Sequence, residues 1–194
     1  MSLKVLKFGG TSLADAEHFR AVAEIIKSEP ERRYIVASAP GKRFSTDVKI
    51  TDLLYECYEL SNAEEDITEV FESICGRFRD IITELGLEMD LTDVFEKIRL
   101  SLLHNSGRDY IASRGEYLNA MILAKYLGFD FIDAKKVIFF REDGSFDADK
   151  TNDILHTYLQ KSPYAVIPGF YGSMPNGTIK TFSRGGSDIT GSIV

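Results

Sequence analysis

The chain has 194 residues, 44% hydrophobic and 27% charged, with 23 Lys and Arg against 30 Asp and Glu and a net charge of −7. Those fractions exclude a disordered tail, a collagen-like fibre and a low-complexity linker, and they fit one large domain or one domain with a small lobe. The acidic balance argues against nucleic acid as a partner, because Lys and Arg are scattered and form no stripe. No apolar run approaches a membrane span, and the N-terminal residues show no charged-then-apolar signal pattern, so no membrane contact and a cytoplasmic location are expected. The two cysteines, Cys57 and Cys75, lie in helix-like segments and suggest buried thiols rather than a disulfide.

In chain order, Leu3 to Phe8 reads as a buried strand running into Gly9-Gly10-Thr11-Ser12, and a helix follows over about 14–28. Tyr34 to Ala39 is a second strand, broken by Pro40-Gly41, and 41–49 is a polar loop. Thr51 or Asp52 is expected to cap the next helix. Apolar stripes then mark helices over 67–85, closed by Gly86, and over 91–102, with a third over 109–127 ending at Gly128. Residues 129–133 and 137–140 look like strands, 152–161 like a helix and 164–167 like a strand. Asn176-Gly177 is a hairpin turn into a strand over 178–182, and Gly185-Gly186-Ser187-Asp188 opens a last helix.

Strands alternating with helices predict an α/β fold: a three-layer sandwich around a mostly parallel central sheet, with a helical segment at 61–127 inserted in the middle. A helix begun near Asp188 has too few residues before Val194 to be stable alone, so the chain is expected to be truncated.

Two glycine motifs sit at strand ends, where open α/β sheets bind their ligands. In the first, Lys7 precedes Gly9, Gly10, Thr11 and Ser12; in the second, Ser183-Arg184 precedes Gly185, Gly186, Ser187 and Asp188. Glycines let backbone N–H groups approach a phosphate, and the adjoining cations supply charge, so together they predict an anion pocket. The lysine precedes the glycines, unlike a Walker A loop. Gly115 within the third helix costs roughly 1 kcal/mol against Ala and suggests a close approach there. The spacing of Glu116 slightly favours a solvated surface charge over a ligand contact. His18, His104 and His156 are dispersed without zinc-site spacing, and no metal held by the chain itself is expected.

Lys-Phe-Gly-Gly-Thr-Ser at 7–12, Gly-Glu at 115–116 and Arg-Gly-Gly-Ser-Asp at 184–188 together resemble the aspartokinases of the amino-acid kinase family. Ser38-Ala39, Thr51-Asp52-Leu53-Leu54 and Pro168 to Gly172 follow the same pattern in the same order. The resemblance implies transfer of the γ-phosphoryl of ATP to the side-chain carboxylate of L-aspartate, the first step toward lysine, threonine and methionine. It implies ATP with Mg2+, the metal held mainly by the nucleotide phosphates.

By the same resemblance, Lys7 would hold the transferring phosphoryl beside Gly9, Gly10, Thr11 and Ser12, and Asp188 would organise the lysines. Gly185, Gly186 and Ser187 would complete the cradle. Arg184 would clamp a carboxylate of aspartate, Glu116 would receive its ammonium, and Ser38, Thr51 and Phe170 would line the pocket. A homo-oligomer is left open. Asn119 stands where the family usually has serine, Ser183 replaces a glycine, and the loop between Ser38 and Thr51 is long. Family members continue with an adenine-binding half and regulatory domains, so these residues are expected to be an aspartate-side half-site with little kinase activity alone. Rival readings are an amino-acid kinase acting on glutamate or N-acetylglutamate, and a non-catalytic amino-acid-binding module. A carboxylate nucleophile is ionised at neutral pH and needs no general base, which suits a chain without an evident catalytic histidine.

Overall fold

The computed structural model describes residues 3–183 and 185–194. Four parallel strands form the central sheet: β1 (Lys4–Phe8), β2 (Arg32–Ala37), β3 (Asp130–Phe131) and β4 (Ala165–Pro168), in the order β1-β2-β4-β3. Side chains alternate across it. Ile35 and Ala37 of β2 and Val166 of β4 face one apolar core, whereas Tyr34, Ala165 and Ile167 face another. A sheet covered on both faces needs helices on both sides, which is the expected three-layer arrangement.

Five helices belong to the larger core: α1 (Ala16–Lys27), α2 (Ile50–Asn62), α3 (Thr68–Glu84), α4 (Thr92–Leu103) and α5 (Arg108–Leu127). Asp15 starts α1 by accepting the His18 backbone N–H at 3.0 Å. The α5 helix ends at Gly128, whose φ of +71° is the left-handed cap that other residues adopt at a cost. The helical stretch shares its core with α1 and β2. Cys57 and Cys75 are buried free thiols there, both pushed up to about 12 by burial. Phe78 of α3 is fully buried against this core, its ring 6.5 Å from that of Phe95. Phe78→Ala is expected to destabilise the chain by about 3–5 kcal/mol, measured by urea unfolding, through lost transfer energy plus the cavity left behind.

The smaller core collects α6 (Ala148–Lys161), which buries Leu155, and a hairpin of β5 (Tyr171–Ser173) and β6 (Ile179–Thr181) that turns through Asn176-Gly177. The last helix, α7 (Gly186–Ile193), packs on β1 and β2. It is short, and tertiary contacts hold it: the Phe170 N–H donates to the Thr190 hydroxyl at 3.1 Å, and that hydroxyl donates to the Gly186 carbonyl.

Two local expectations are corrected. Residues 137–140 are not a strand. Asp133 caps a 3-10 turn at Ala134–Lys136, and the following backbone pairs at isolated points, with the Phe140 N–H donating to the Ser173 carbonyl at 2.9 Å. Neither Thr51 nor Asp52 caps α2. Its first N–H, on Ile50, donates to the Pro40 carbonyl at 3.2 Å, so Lys49 occupies the cap position without a side-chain bond. The cap of α7 is Gly185, at φ +72°. Among the described residues no helix is long and apolar enough to cross a membrane.

Candidate functional site

Parallel strands end on one side, and the residues following β1, β2 and β4 are Gly9-Gly10, Ser38-Ala39 and Gly169-Phe170. The Ser38 N–H donates to the Phe8 carbonyl, the Gly41 N–H to the Gly10 carbonyl and the Gly169 N–H to the Ala37 carbonyl, at 3.1, 2.8 and 2.9 Å. These bonds draw the strand ends together. They form two adjoining clusters.

The first surrounds a cavity of about 250 Å³ lined by Gly10, Thr11, Ser38, Lys49, Thr51 and Glu116, with Ala39, Pro40 and Gly41 completing the wall. Glu116 is only 6% exposed, against its surface reading. Its helix, α5, lies between the sheet on one side and α2 and α4 on the other, so almost every face of its middle turns is buried. Gly115 permits that approach: a Cβ there would lie 2.7 Å from the Ala39 Cβ. Among the described residues, one carboxylate oxygen of Glu116 has no hydrogen-bond partner and no cation forms a salt bridge with it. Burial raises its pKa to about 8, outweighing the Ala39 N–H bonded to it.

A buried acid left unpaired beside a polar cavity is poised to accept a cationic group. Beside it, Asn119 is fully buried and donates through its amide to the Ser38 carbonyl at 2.7 Å, holding the turn after β2. Thr51 reaches the cavity from the first turn of α2, whose N-terminal end brings partial positive charge there. Lys49 is a cation in the cavity wall that the sequence marks only as part of a polar loop, because only the fold brings residue 49 beside residue 116.

The second cluster joins the two glycine motifs. Lys7 Nζ lies 2.8 Å from Asp188 Oδ1, with Gly9 beside the ammonium and Gly191 close against the Lys7 side chain. The lysine is a quarter exposed and Asp188 largely exposed, so this pair is open to an incoming anion. Gly185 and Gly186 lead into α7 beside it, and Ser12 closes the first turn by donating its N–H to the Gly9 carbonyl at 3.1 Å. Ser187 and Phe170 belong to this cluster rather than to the cavity wall. A Cβ on Gly169 would fall 2.6 Å from the Ser187 hydroxyl, and one on Gly186 would fall 2.7 Å from the Phe170 ring. Phe170 itself has a φ of +81°, a strained conformation for a bulky residue that its bonds to Thr190 and Phe182 hold in place. Arg184 lies outside the described residues.

Fold and site together define an α/β protein in which two glycine turns, a lysine–aspartate pair and a buried acid meet at the carboxyl end of a parallel sheet. The sequence profile of the Amino acid kinase family matches residues 2–194, and the chain belongs to that family. It is similar to Aspartokinase 3 of Bacillus subtilis, with 32% identity over 206 residues, covering 99% of this chain and 45% of that protein. Among solved structures it is similar to aspartate kinase of Clostridium acetobutylicum, at a TM-score of 0.97 and 49% identity over the whole of this chain and 45% of the other. The fold also matches E. coli aspartokinase III in complex with aspartate and ADP, at a TM-score of 0.84 and 24% identity, covering 99% of this chain and 46% of that one. The chain thus spans under half the length of these relatives.

Proposed function

We propose that these residues form the acceptor side of an aspartate kinase, which transfers the γ-phosphoryl of ATP to the side-chain carboxylate of L-aspartate. The observation that carries this reading is the buried, unpaired Glu116 carboxylate in a polar cavity beside the Lys7–Asp188 pair. The named similarity to aspartate kinases supports it. Glu116 would receive the α-ammonium, and Ser38 and Thr51 would line the acceptor pocket with Phe170 near its edge. Arg184 would bind a carboxylate of the acceptor.

In the transfer, an oxygen of the aspartate carboxylate bonds to the γ-phosphorus. The bond from that phosphorus to the bridging oxygen breaks, and ADP leaves with the electron pair. No proton has to be removed from the nucleophile, since a carboxylate is ionised at neutral pH. What remains is to hold two anions together, which calls for cations and oriented N–H groups. Lys7, with the amides of Gly9, Gly10, Thr11 and Ser12, would stabilise the moving phosphoryl. Asp188 would keep Lys7 oriented, while Gly185, Gly186 and Ser187 complete the cradle. ATP would bring Mg2+ on its phosphates, and its base would be recognised outside these 194 residues.

Calorimetric titration of L-aspartate, L-glutamate and N-acetyl-L-aspartate into the chain tests the acceptor. Saturable binding of L-aspartate is expected, weaker by about tenfold or more for L-glutamate and lost for the acetylated compound, which has no ammonium for Glu116. Equal binding of the acetylated compound would overturn the reading in favour of an N-acetylated acceptor.

A further inference from the structure

We propose that Arg77 is a positioning residue for the acceptor cavity, its single guanidinium setting the shape of the wall at residues 41–49 without entering the cavity; this rests on the acceptor reading above. Arg77 projects from α3 and is only 5% exposed. Its neighbours on that face, Ile74, Phe78 and Ile81, are apolar, and an aliphatic residue would satisfy the packing there. A buried cation is costly unless it is engaged, and while Nε has no partner among the described residues, both terminal nitrogens find theirs away from this face.

Those partners are the backbone of the site. Nη2 donates to the Gly41 carbonyl at 2.7 Å and reaches the Ala14 carbonyl at 3.5 Å, and Nη1 donates to the Val48 carbonyl at 2.6 Å. Gly41 and Val48 stand at the two ends of the loop, and Ala14 follows the turn that carries Gly10 and Thr11. One planar group therefore ties both ends of the wall to the phosphate-side turn.

Asp47 completes the arrangement. Its Oδ2 lies 3.6 Å from Arg77 Nη2 and accepts from the Arg43 Nε and backbone N–H at 2.8 and 2.9 Å, while Oδ1 accepts from Arg43 Nη2 at 2.9 Å. The loop thus closes on Asp47, and Arg77 fastens the closed loop to α3. The cavity walls include Gly41, Lys49 and Thr51 but not Arg77. A lysine could not span the three carbonyls, because it presents a point charge rather than a fork.

Arg77→Met and Arg77→Lys, read by amide hydrogen exchange and by L-aspartate calorimetry, test the proposal. In Arg77→Met, exchange at residues 41–51 is expected to accelerate at least tenfold relative to α6 and β4, and aspartate affinity to fall at least tenfold. Arg77→Lys is expected to recover part of both. Unchanged exchange at 41–51, or acceleration spread equally over all elements, would overturn the proposal, as would unaltered affinity in a variant whose loop has loosened. If Arg77→Met does not fold, Arg77→Lys carries the same comparison. Failure of the wild-type chain to bind L-aspartate would overturn the acceptor reading and with it the link to the cavity, while the exchange data would still decide whether Arg77 holds the loop.

Discussion

Glu116→Gln is expected to abolish the pH dependence of L-aspartate binding and to weaken that binding by about a hundredfold at pH 8, the size of a lost buried charge pair. In the ligand-free chain the acid has a pKa raised to about 8, so it is mostly protonated at neutral pH. An ammonium selects the ionised form, and binding must release the proton. Wild-type affinity should therefore climb with pH by about tenfold per unit well below pH 8 and level off as pH 8 is approached, with a heat that varies with the buffer's ionisation enthalpy.

The same shift carries a stability consequence of opposite sign. The folded value lies above the unfolded one near 4.5. Glu116 then contributes fully below pH about 4.5, and its contribution is lost as pH rises toward 8. A neutral glutamine suffers no such loss. Glu116→Gln should be more stable than wild type at pH 8, by about 2–4 kcal/mol, and close to it at pH 4.5. Thermal melts at the two pH values with calorimetry at pH 6, 7 and 8 measure both effects. Affinity that does not vary with pH would remove Glu116 from the role given to it.

Gly41→Ala is expected to cause the largest damage for the smallest change of side chain. A Cβ at 41 would lie 2.6 Å from the Gly10 carbonyl carbon and 2.7 Å from the Thr11 nitrogen. Both are backbone atoms, and no rotamer relieves the contact. The two strand-end turns must separate, straining the bond from the Gly41 N–H to the Gly10 carbonyl and opening the wall that Arg77 holds. A loss of about 2–3 kcal/mol is expected from overpacking of this kind, together with loss of detectable aspartate binding. Gly76→Ala is the matched control. That glycine lies inside α3 with nothing within 4 Å of where a Cβ would stand, so the change should stabilise the chain by about 0.5–1 kcal/mol through helix propensity. Urea unfolding of the two variants distinguishes a close backbone approach from a general intolerance of substitution.

Much of the architecture follows from local pattern. The runs around Leu6, Ile35 and Val166 are short, apolar and followed by glycine or proline, and they became neighbouring parallel strands. The glycine turns were legible for the same reason: a turn's chemistry is written in adjacent residues, and both turns follow strands whose ends a parallel sheet brings to one side. Residues 137–140 misled because their apolar character reflects burial under the β5–β6 hairpin rather than membership of a ladder.

By itself, the sequence determined the α/β alternation, the helix stripes, and the pairing of two glycine motifs with flanking cations. Only the tertiary structure decided the condition of individual charges. Helical spacing identifies a buried face when a helix has one, but α5 is enclosed by the sheet, α2 and α4, so spacing could not show that Glu116 is buried and unpaired. Arg77 was hidden in the same way. It interrupts an apolar stripe, and its partners at Ala14, Gly41 and Val48 are backbone carbonyls, which every residue type carries and no sequence pattern marks. Desolvation and long-range hydrogen bonding depend on which segments meet, and that is settled by packing rather than by neighbours in the chain.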